Sequence, residues 1–311
     1  MRKKKLTTQG KLFLLLLIKV NAFCCCIFLL QTAFISCSGD NENHQSGENA
    51  RQEMGTVDNP KIDEASGIAT SINNPGCFWT HNDSGDKARI FLIDSMGHCK
   101  AECTLVGATN RDWEDIATGP GPVDSLNYIY VGEIGDNFTM YPYKKIYRLI
   151  EPVITNESPM LVRQFDVITF KFPDRTWDAE TLMVDPRTKD LYMVSKWEDS
   201  VLVYRIAYSQ SLQDTVTVEK VISLGVTHIT AGDISVDGSG ILLKNYESVY
   251  FWNRLKHETV AQALSRKEQK LYYIEEPQGE GIAWARDGFS YYTLGEGFFF
   301  DKPKLYRYTK Q

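Results

Sequence analysis

Apolar and polar positions alternate along this chain in short segments that repeat as a group of four. An acid opens a short apolar stretch five times: Glu64 in EASGIA, Glu114 in WEDIA, Glu180 in AETLMV, Asp233 in GDISV and Glu280 in GEGIAW. Successive acids lie 50, 66, 53 and 47 residues apart, close to the ~40–50 residues of one propeller blade. Each acid-bearing strand, A, runs into hairpin chemistry such as Asn73-Asn74-Pro75-Gly76, Asp185-Pro186-Arg187, Asp237-Gly238-Ser239-Gly240 or Arg286-Asp287-Gly288. A B strand follows (CFWTHND, YIYVGEIGDN, LYMVSKWED, ILLKNYES, YYTLGEG). Then comes a C strand, of which Ile146–Leu149, Val203–Ile206 and Leu305–Tyr308 share a Tyr-Arg pair, beside Ile90–Ile93 and Val249–Trp252. The outer D strands read CTLVGA, DVITFKF, TVEKVISL and KLYYIEE.

The last repeat stops after its C strand, and Gln52–Ile62 lies where every other repeat places its D strand. The pattern therefore predicts an all-β, five-bladed β-propeller closed by its N-terminal strand, which removes exposed sheet edges. The alternative is a six-bladed ring with a degenerate blade in the 66-residue interval. Several strands, such as Leu191–Val194, are apolar on both faces, as in sheets stacked face to face. One helical stretch is predicted, Glu258–Lys270, burying Val260, Ala263 and Leu264.

Upstream of the repeats, MRKKK and Lys11 precede an apolar stretch from Leu12 to Ser36, and Ile35-Ser36-Cys37 resembles a bacterial lipobox. Residues 1–36 read as a lipoprotein signal peptide, Cys37 as the lipidation site, 37–51 as a polar flexible tether and 52–311 as the propeller domain. An uncleaved transmembrane anchor is the alternative, and either reading places the propeller outside the cytoplasm. Ser38-Gly39-Asp40 is similar to the signal that sends some lipoproteins to the cell surface, so the expected location is the outer membrane, facing the periplasm or the exterior. Removal of the signal takes six basic residues and no acid, leaving 28 basic against 40 acidic residues, a net charge near −12. Such a chain repels nucleic acid and attracts cations, and membrane contact is expected through the Cys37 lipid alone, with the protein a monomer. Of the cysteines past the signal and Cys37, an internal Cys77–Cys99 bridge is expected, with Cys103 a buried thiol.

In a propeller the D–A connections and B–C loops share one face. The repeated acids and the B-strand ends HNDSG, GEIGDN, SKWED, KNYES and GEG therefore converge on one channel mouth. Crowded carboxylates repel unless protons or cations intervene. Lys196 and Lys244 supply part of that charge, and Ca²⁺ fits the remainder because it takes many oxygen ligands in irregular geometry. The candidate metal ligands are Glu64, Asp83, Glu114, Asp136, Glu180, Asp233 and Glu280, with Asn137 beside them; the catalytic candidates are His81, Glu114, Lys196 and Lys244. For any single acid the plain alternative is a solvated loop residue, and for His81 a hydrogen-bonded loop histidine. Trp113, Trp177, Trp197 and Tyr246 form either an aromatic wall for a flat ligand or packing between blades. No close His or His/Cys ligand spacing, nucleophile elbow, phosphate loop or H-E-x-x-H occurs, which disfavours zinc and the corresponding hydrolase and nucleotide mechanisms.

In chain order, HNDSG, DWEDIA, GEIGDN, IYRLIEP, DAETLMVDP, Ser195-Lys196, THITAGDISVDG, LLKNY and GEGIAW resemble a family of secreted and lipid-anchored β-propellers related to esterase-like phytases and calcium-dependent gluconolactonases. The likeness spans roughly residues 62–308. It implies Ca²⁺ held by carboxylates in the mouth and hydrolysis of a phosphoester or lactone. Only Glu64, Glu114, Glu180, Asp233 and Glu280 match its channel acid. Lys244-Asn245-Tyr246 stands where relatives carry Arg-Thr-Tyr, losing a bidentate fork for an oxyanion. Three functions remain open: a cation-dependent binder of a small polar or anionic ligand, a metal-dependent hydrolase of an ester, lactone or phosphoester, and a non-catalytic scaffold.

Overall fold

A computed structural model describes residues 51–155, 159–196, 199–297 and 301–310. The chain divides into Met1–His44 and Gln45–Gln311, and every described residue belongs to the second unit. The expected signal peptide, Cys37, all of the tether except Arg51, and Trp197 lie outside the described residues.

Strand β1 (Arg51–Thr56) precedes the first blade, made of β2 (Ala65–Thr70), β3 (Cys77–Asn82), β4 (Arg89–Asp94) and β5 (Cys99–Leu105). The second blade holds β6 (Trp113–Pro120), β7 (Asn127–Glu133) and β8 (Lys144–Ile150). Then β9 (Met160–Val162) intervenes before that blade's outer strand β10 (Asp166–Lys171). The third blade is β11 (Ala179–Val184), β12 (Leu191–Ser195) and β13 (Val201–Ile206), followed by β14 (Val216–Thr217) and the outer β15 (Glu219–Leu224). The fourth is β16 (Ala231–Ile234), β17 (Gly240–Lys244), β18 (Val249–Asn253), helix α1 (Val260–Leu264) and β19 (Gln269–Leu271); the fifth is β20 (Gly279–Trp284), β21 (Ser290–Gly295) and β22 (Lys304–Thr309).

Five sheets result, and their inner strands touch in the closed order β2, β6, β11, β16, β20 and back to β2. The molecule is a five-bladed propeller. β1 pairs antiparallel with β22, Arg51 opposite Tyr308, so the N-terminal strand supplies the last blade's missing outer strand. The six-bladed alternative fails because the long interval is spent on a detour: β9 pairs parallel with β5 of the preceding blade. β14 likewise adds to β10 of the second blade. Both additions cover an outer edge, where unpaired N–H and C=O groups would otherwise invite association.

Glu151, in the IYRLIEP segment that precedes this detour, fixes the second blade to the first. Its buried carboxylate accepts from Ser71 Oγ (2.5 Å), Ile72 N (3.0 Å), Asn73 N (3.0 Å) and Trp79 Nε1 (2.9 Å). The repeated Tyr-Arg pairs are structural as well. Arg148 meets Asp166 at 2.6 Å, Arg205 meets Glu219 at 2.6 Å and Arg307 meets Asp287 at 3.0 Å. Tight A–B hairpins need a left-handed residue, which Gly238 (φ 72°) and Gly288 (φ 71°) supply without a Cβ clash.

Helix α1 starts at Thr259, whose side chain and Gln262 form a reciprocal capping box, and it buries Val260, Ala263 and Leu264 as expected. It is shorter than the predicted Glu258–Lys270, because residues from Gln269 onward pair with β18. The thiols correct another expectation: Cys77, Cys99 and Cys103 are all free. Cys99 Sγ instead accepts from Asn59 Nδ2 at 3.2 Å, while Cys103 is buried among the apolar side chains between the first two blades.

Candidate functional site

A β-bulge decides which acids reach the channel mouth. Strand pairing skips one residue near the start of four inner strands, between Ala65 and Gly67, Trp113 and Asp115, Ala179 and Thr181, and Gly279 and Gly281. The bulged residues are therefore Ser66, Glu114, Glu180 and Glu280, and a bulge re-aims its side chain out of the ladder. Strand β16 pairs with β17 without interruption. Three of the five repeated acids, Glu114, Glu180 and Glu280, thus occupy one equivalent place, and all are buried.

The other two do not join them. In the first blade Ser66 takes the bulge and donates to Glu114 O at 2.8 Å. Glu64 lies two residues upstream and is exposed at the rim. Asp233 lies one rung below Gly232, which pairs with Leu243 as Thr181 pairs with Val194. Its Oδ2 accepts Trp284 N at 2.7 Å, and the residue lines a cleft at the far end of the channel.

Two residues absent from the sequence-based candidates complete the mouth, Asp112 and Asp178, each two positions before a bulged glutamate. Ligand atoms of Asp83, Asp112 and Glu114 lie within 4.8 Å of one another, as do those of Glu114, Asp178 and Glu180. Glu114 belongs to both groups, so the five carboxylates form one continuous cluster. The repeated Asp-x-Glu spacing, Asp112-Trp113-Glu114 and Asp178-Ala179-Glu180, was the available signal.

Backbone packing holds this cluster closed on one side. A Cβ on Gly135 would overlap Glu114 Oε1 and lie 2.7 Å from Asp112 Oδ2, so a side chain there would displace both carboxylates from their present positions. Asp136 belongs to neither carboxylate group. Its carboxylate accepts Met140 N (2.7 Å) and Tyr141 N (2.8 Å) and pairs with Lys144 (3.1 Å), fixing the loop, while its own N–H donates to Asp178 Oδ1 at 2.7 Å. Asn137 is exposed.

Electrostatics follow from crowding in a buried place. Burial raises Glu114 well above the ordinary carboxyl range, and Glu180, Asp83 and Asp112 push it further. Asp83 is pushed up to about 6, first by burial and then by Asp112, Glu280 and Glu64, which places it between the cluster and the remaining acids. Lys196 Nζ contacts Glu180 Oε1 at 2.8 Å. Burial pushes Glu180 up to about 8 against the pull of Lys196, while Glu180 in turn holds Lys196 above its usual value despite burial. These shifts favour opposite states of Glu180; direct contact favours the ionised pair.

Beside the cluster, Tyr246 OH donates to Glu280 Oε1 at 2.7 Å, and burial followed by Glu280 pushes Glu296 up to about 8. Glu296, in the polar GEG strand end, is a further acid at this mouth.

The remaining candidates are placed elsewhere. His81 is fully buried, Nδ1 2.9 Å from Asn82 O and its ring edge-on to Trp113; burial lowers it to about 4, so it is neutral at ordinary pH. Lys244 is fully buried between the fourth and fifth blades, donating to Gly279 O and to Asn245 O (3.1 Å), and burial lowers it to about 8. Trp113 and Trp177 fill gaps between blades, their indole N–H groups bound to Thr109 O (2.9 Å) and Asp174 Oδ1 (3.0 Å). Tyr246 is the described member of the proposed aromatic wall that stands at the mouth.

No family model matches the chain, and no curated protein matches its sequence. Among solved structures it is similar to the PQQ-bound form of an aldose sugar dehydrogenase from Streptomyces coelicolor, at 11% identity over 83% of this chain and 97% of that one, TM-score 0.48. It is also similar to a chain in a nidogen/laminin complex, at 11% identity over 75% and 73%, TM-score 0.44.

Proposed function

We propose that this is a lipid-anchored extracytoplasmic propeller whose channel mouth binds one divalent cation, Ca²⁺, and through it a small polar or anionic ligand. The observation that carries the reading is the pair of carboxylate groups sharing Glu114. All five donor residues are carboxylates, the donor chemistry that suits a hard cation. Gly135 provides a backbone cradle against them. Asp83, Asp112, Glu114, Asp178 and Glu180 would hold the ion, with Lys196 balancing part of the charge. A bound cation supplies electrostatic attraction for ligand oxygens, or a more acidic water. The signal-like N-terminus with Cys37 and the acidic net charge near −12 support the envelope location and the absence of a nucleic-acid partner.

Calorimetric titration of Ca²⁺ into chelator-treated protein tests the reading. Saturable uptake that weakens at least tenfold in Glu114→Gln is expected; no heat and no change in melting temperature would remove the cation. The second reading, a metal-dependent hydrolase of an ester, lactone or phosphoester as in the family that the motifs resemble, is favoured by Glu296, a carboxyl that keeps its proton to about pH 8 beside Glu280. Hydrolysis lost in Glu114→Gln, with an altered alkaline limb in Glu296→Gln, would select it.

A further inference from the structure

At the end of the channel away from the mouth, the inner strands of all five blades line a cleft with about 1010 Å³ of empty space, part of it open to solvent. Its volume and mixed lining match a small-molecule site. Val184, Ile234 and Val236 give it an apolar wall, and Asp233 is its acid.

The threonine hydroxyls facing this space have already given their hydrogens to main-chain carbonyls and keep only acceptor capacity. Innermost propeller strands have one edge with no neighbouring strand, and side chains satisfy it here. Asp115 takes Leu182 N (2.9 Å) and Asp233 takes Trp284 N (2.7 Å). Thr70 gives its hydroxyl hydrogen to Trp284 O (2.6 Å), and Thr118 gives its own to Thr70 O (2.8 Å). What remains toward the cleft is oxygen lone pairs on Asp233, Thr70 and Thr118.

Among the described residues no lysine, arginine or histidine pairs with Asp233, whose partners are the N–H groups of Trp284 and Ile234. Arg286, the cation of the lining, is exposed and donates to Ile72 O at 2.7 Å, so solvent screens its charge. A buried-side carboxylate surrounded by acceptors is matched by a donor-rich cation.

We propose that this cleft is a second binding site, taking a small ligand with a primary ammonium group that meets Asp233, Thr70 and Thr118 while its aliphatic part lies on Val184, Ile234 and Val236. The site is independent of the cation reading at the mouth.

Titration of the purified protein with n-pentylammonium, n-pentanol and n-pentanoate, followed by saturation-transfer NMR and calorimetry, tests this. Pentylammonium is expected to bind saturably and at least tenfold tighter than pentanol, with pentanoate not binding. Asp233→Asn, which keeps an acceptor for Trp284 N, is expected to abolish the preference for ammonium over alcohol. Val236→Trp, at a position 56% exposed and therefore tolerant of bulk, is expected to weaken ammonium binding at least tenfold with an unchanged melting temperature. Glu114→Gln is expected to leave it unchanged. Absence of saturable binding, equal affinity for ammonium and alcohol, or binding that Glu114→Gln removes and Val236→Trp does not, would overturn the site.

Discussion

Replacing Glu114 with glutamine should make the metal-free protein more stable and the calcium-loaded protein less so. In each group the ligand atoms are at most 4.8 Å apart. At an effective dielectric constant of about 20, two charges at that distance repel by about 3.5 kcal/mol. Glu114 faces such neighbours on both sides, and its carboxyl is raised by burial and by them. The folded protein therefore holds this proton to higher pH than the unfolded chain does. That contribution to stability is fully present below the ordinary value of 4.5 and is lost as pH rises through the raised folded value. Glutamine keeps the shape and removes the charge. In chelator at pH 9 the variant should gain about 2–4 kcal/mol, roughly 5–12 °C in melting temperature for a domain of this size, and the gain should shrink toward pH 5. With Ca²⁺ at about a thousand times its Kd the wild type should gain about 4 kcal/mol, and the variant much less. Thermal unfolding across pH 5–9, with chelator and with Ca²⁺, measures both. A variant no more stable than wild type at pH 9 in chelator would refute the account of the cluster as strained by its own charge; equal stabilisation of both by Ca²⁺ would refute Glu114 as the shared ligand.

Other features give separate tests. Glu151→Ala strands four donors from Ser71, Ile72, Asn73 and Trp79, so urea unfolding should show a loss of about 3–5 kcal/mol, with Glu151→Gln milder; a loss under ~1 kcal/mol would contradict the tie between blades. Arg254 meets Asp185 at 2.8 Å with both side chains buried. Arg254→Met should cost about 3–5 kcal/mol by leaving that carboxylate unpaired, and adding Asp185→Asn should recover much of it; a double variant as unstable as the single one would count against the pair. Alkylation of the native protein should modify Cys77 and Cys99, which are partly exposed, while Cys103, pushed up to about 12 by burial, reacts only after unfolding. Peptide mass mapping reads this, and a Cys77–Cys99 crosslink would contradict the free thiols.

The architecture was legible because each blade repeats the same order of strands, hairpin residues and Tyr-Arg pairs, and because Gln52–Ile62 had no other place to pair. The long second interval stayed ambiguous for a physical reason: β9 within it pairs with a strand of the preceding blade, and a three-residue segment carries no periodicity of its own. The disulfide expectation failed because sharing a blade end does not bring two sulfurs to bonding distance with the required geometry. Lys196 was identified as compensating charge, and it does meet Glu180. Lys244 was not distinguishable from it by type or by strand position, nor His81 by its place at a B-strand end. Their ends turn inward, to carbonyl oxygens between blades.

Why Asp112 and Asp178 escaped notice while Asp233 was included comes down to one residue of register. An alignment on acids alone treats each as the start of the same strand. The ladder shows that Glu114, Glu180 and Glu280 stand at bulges, Ser66 takes that place in the first blade, and β16 has no bulge at all. A single extra residue redirects every side chain before it, so an acid two positions upstream enters the mouth where the loop folds over it, and an acid one rung further down points along the channel. The same displacement separates two kinds of chemistry on one axis. Bulged acids meet each other and require a proton, Lys196 or a cation. Unbulged Asp233 meets the N–H of the next blade and faces the far cleft. Deleting the bulge by removing one residue at Glu114 would therefore do more than lose a ligand: it would carry Trp113 and Asp112 into the wrong rungs and empty the gap that Trp113 fills between the first two blades.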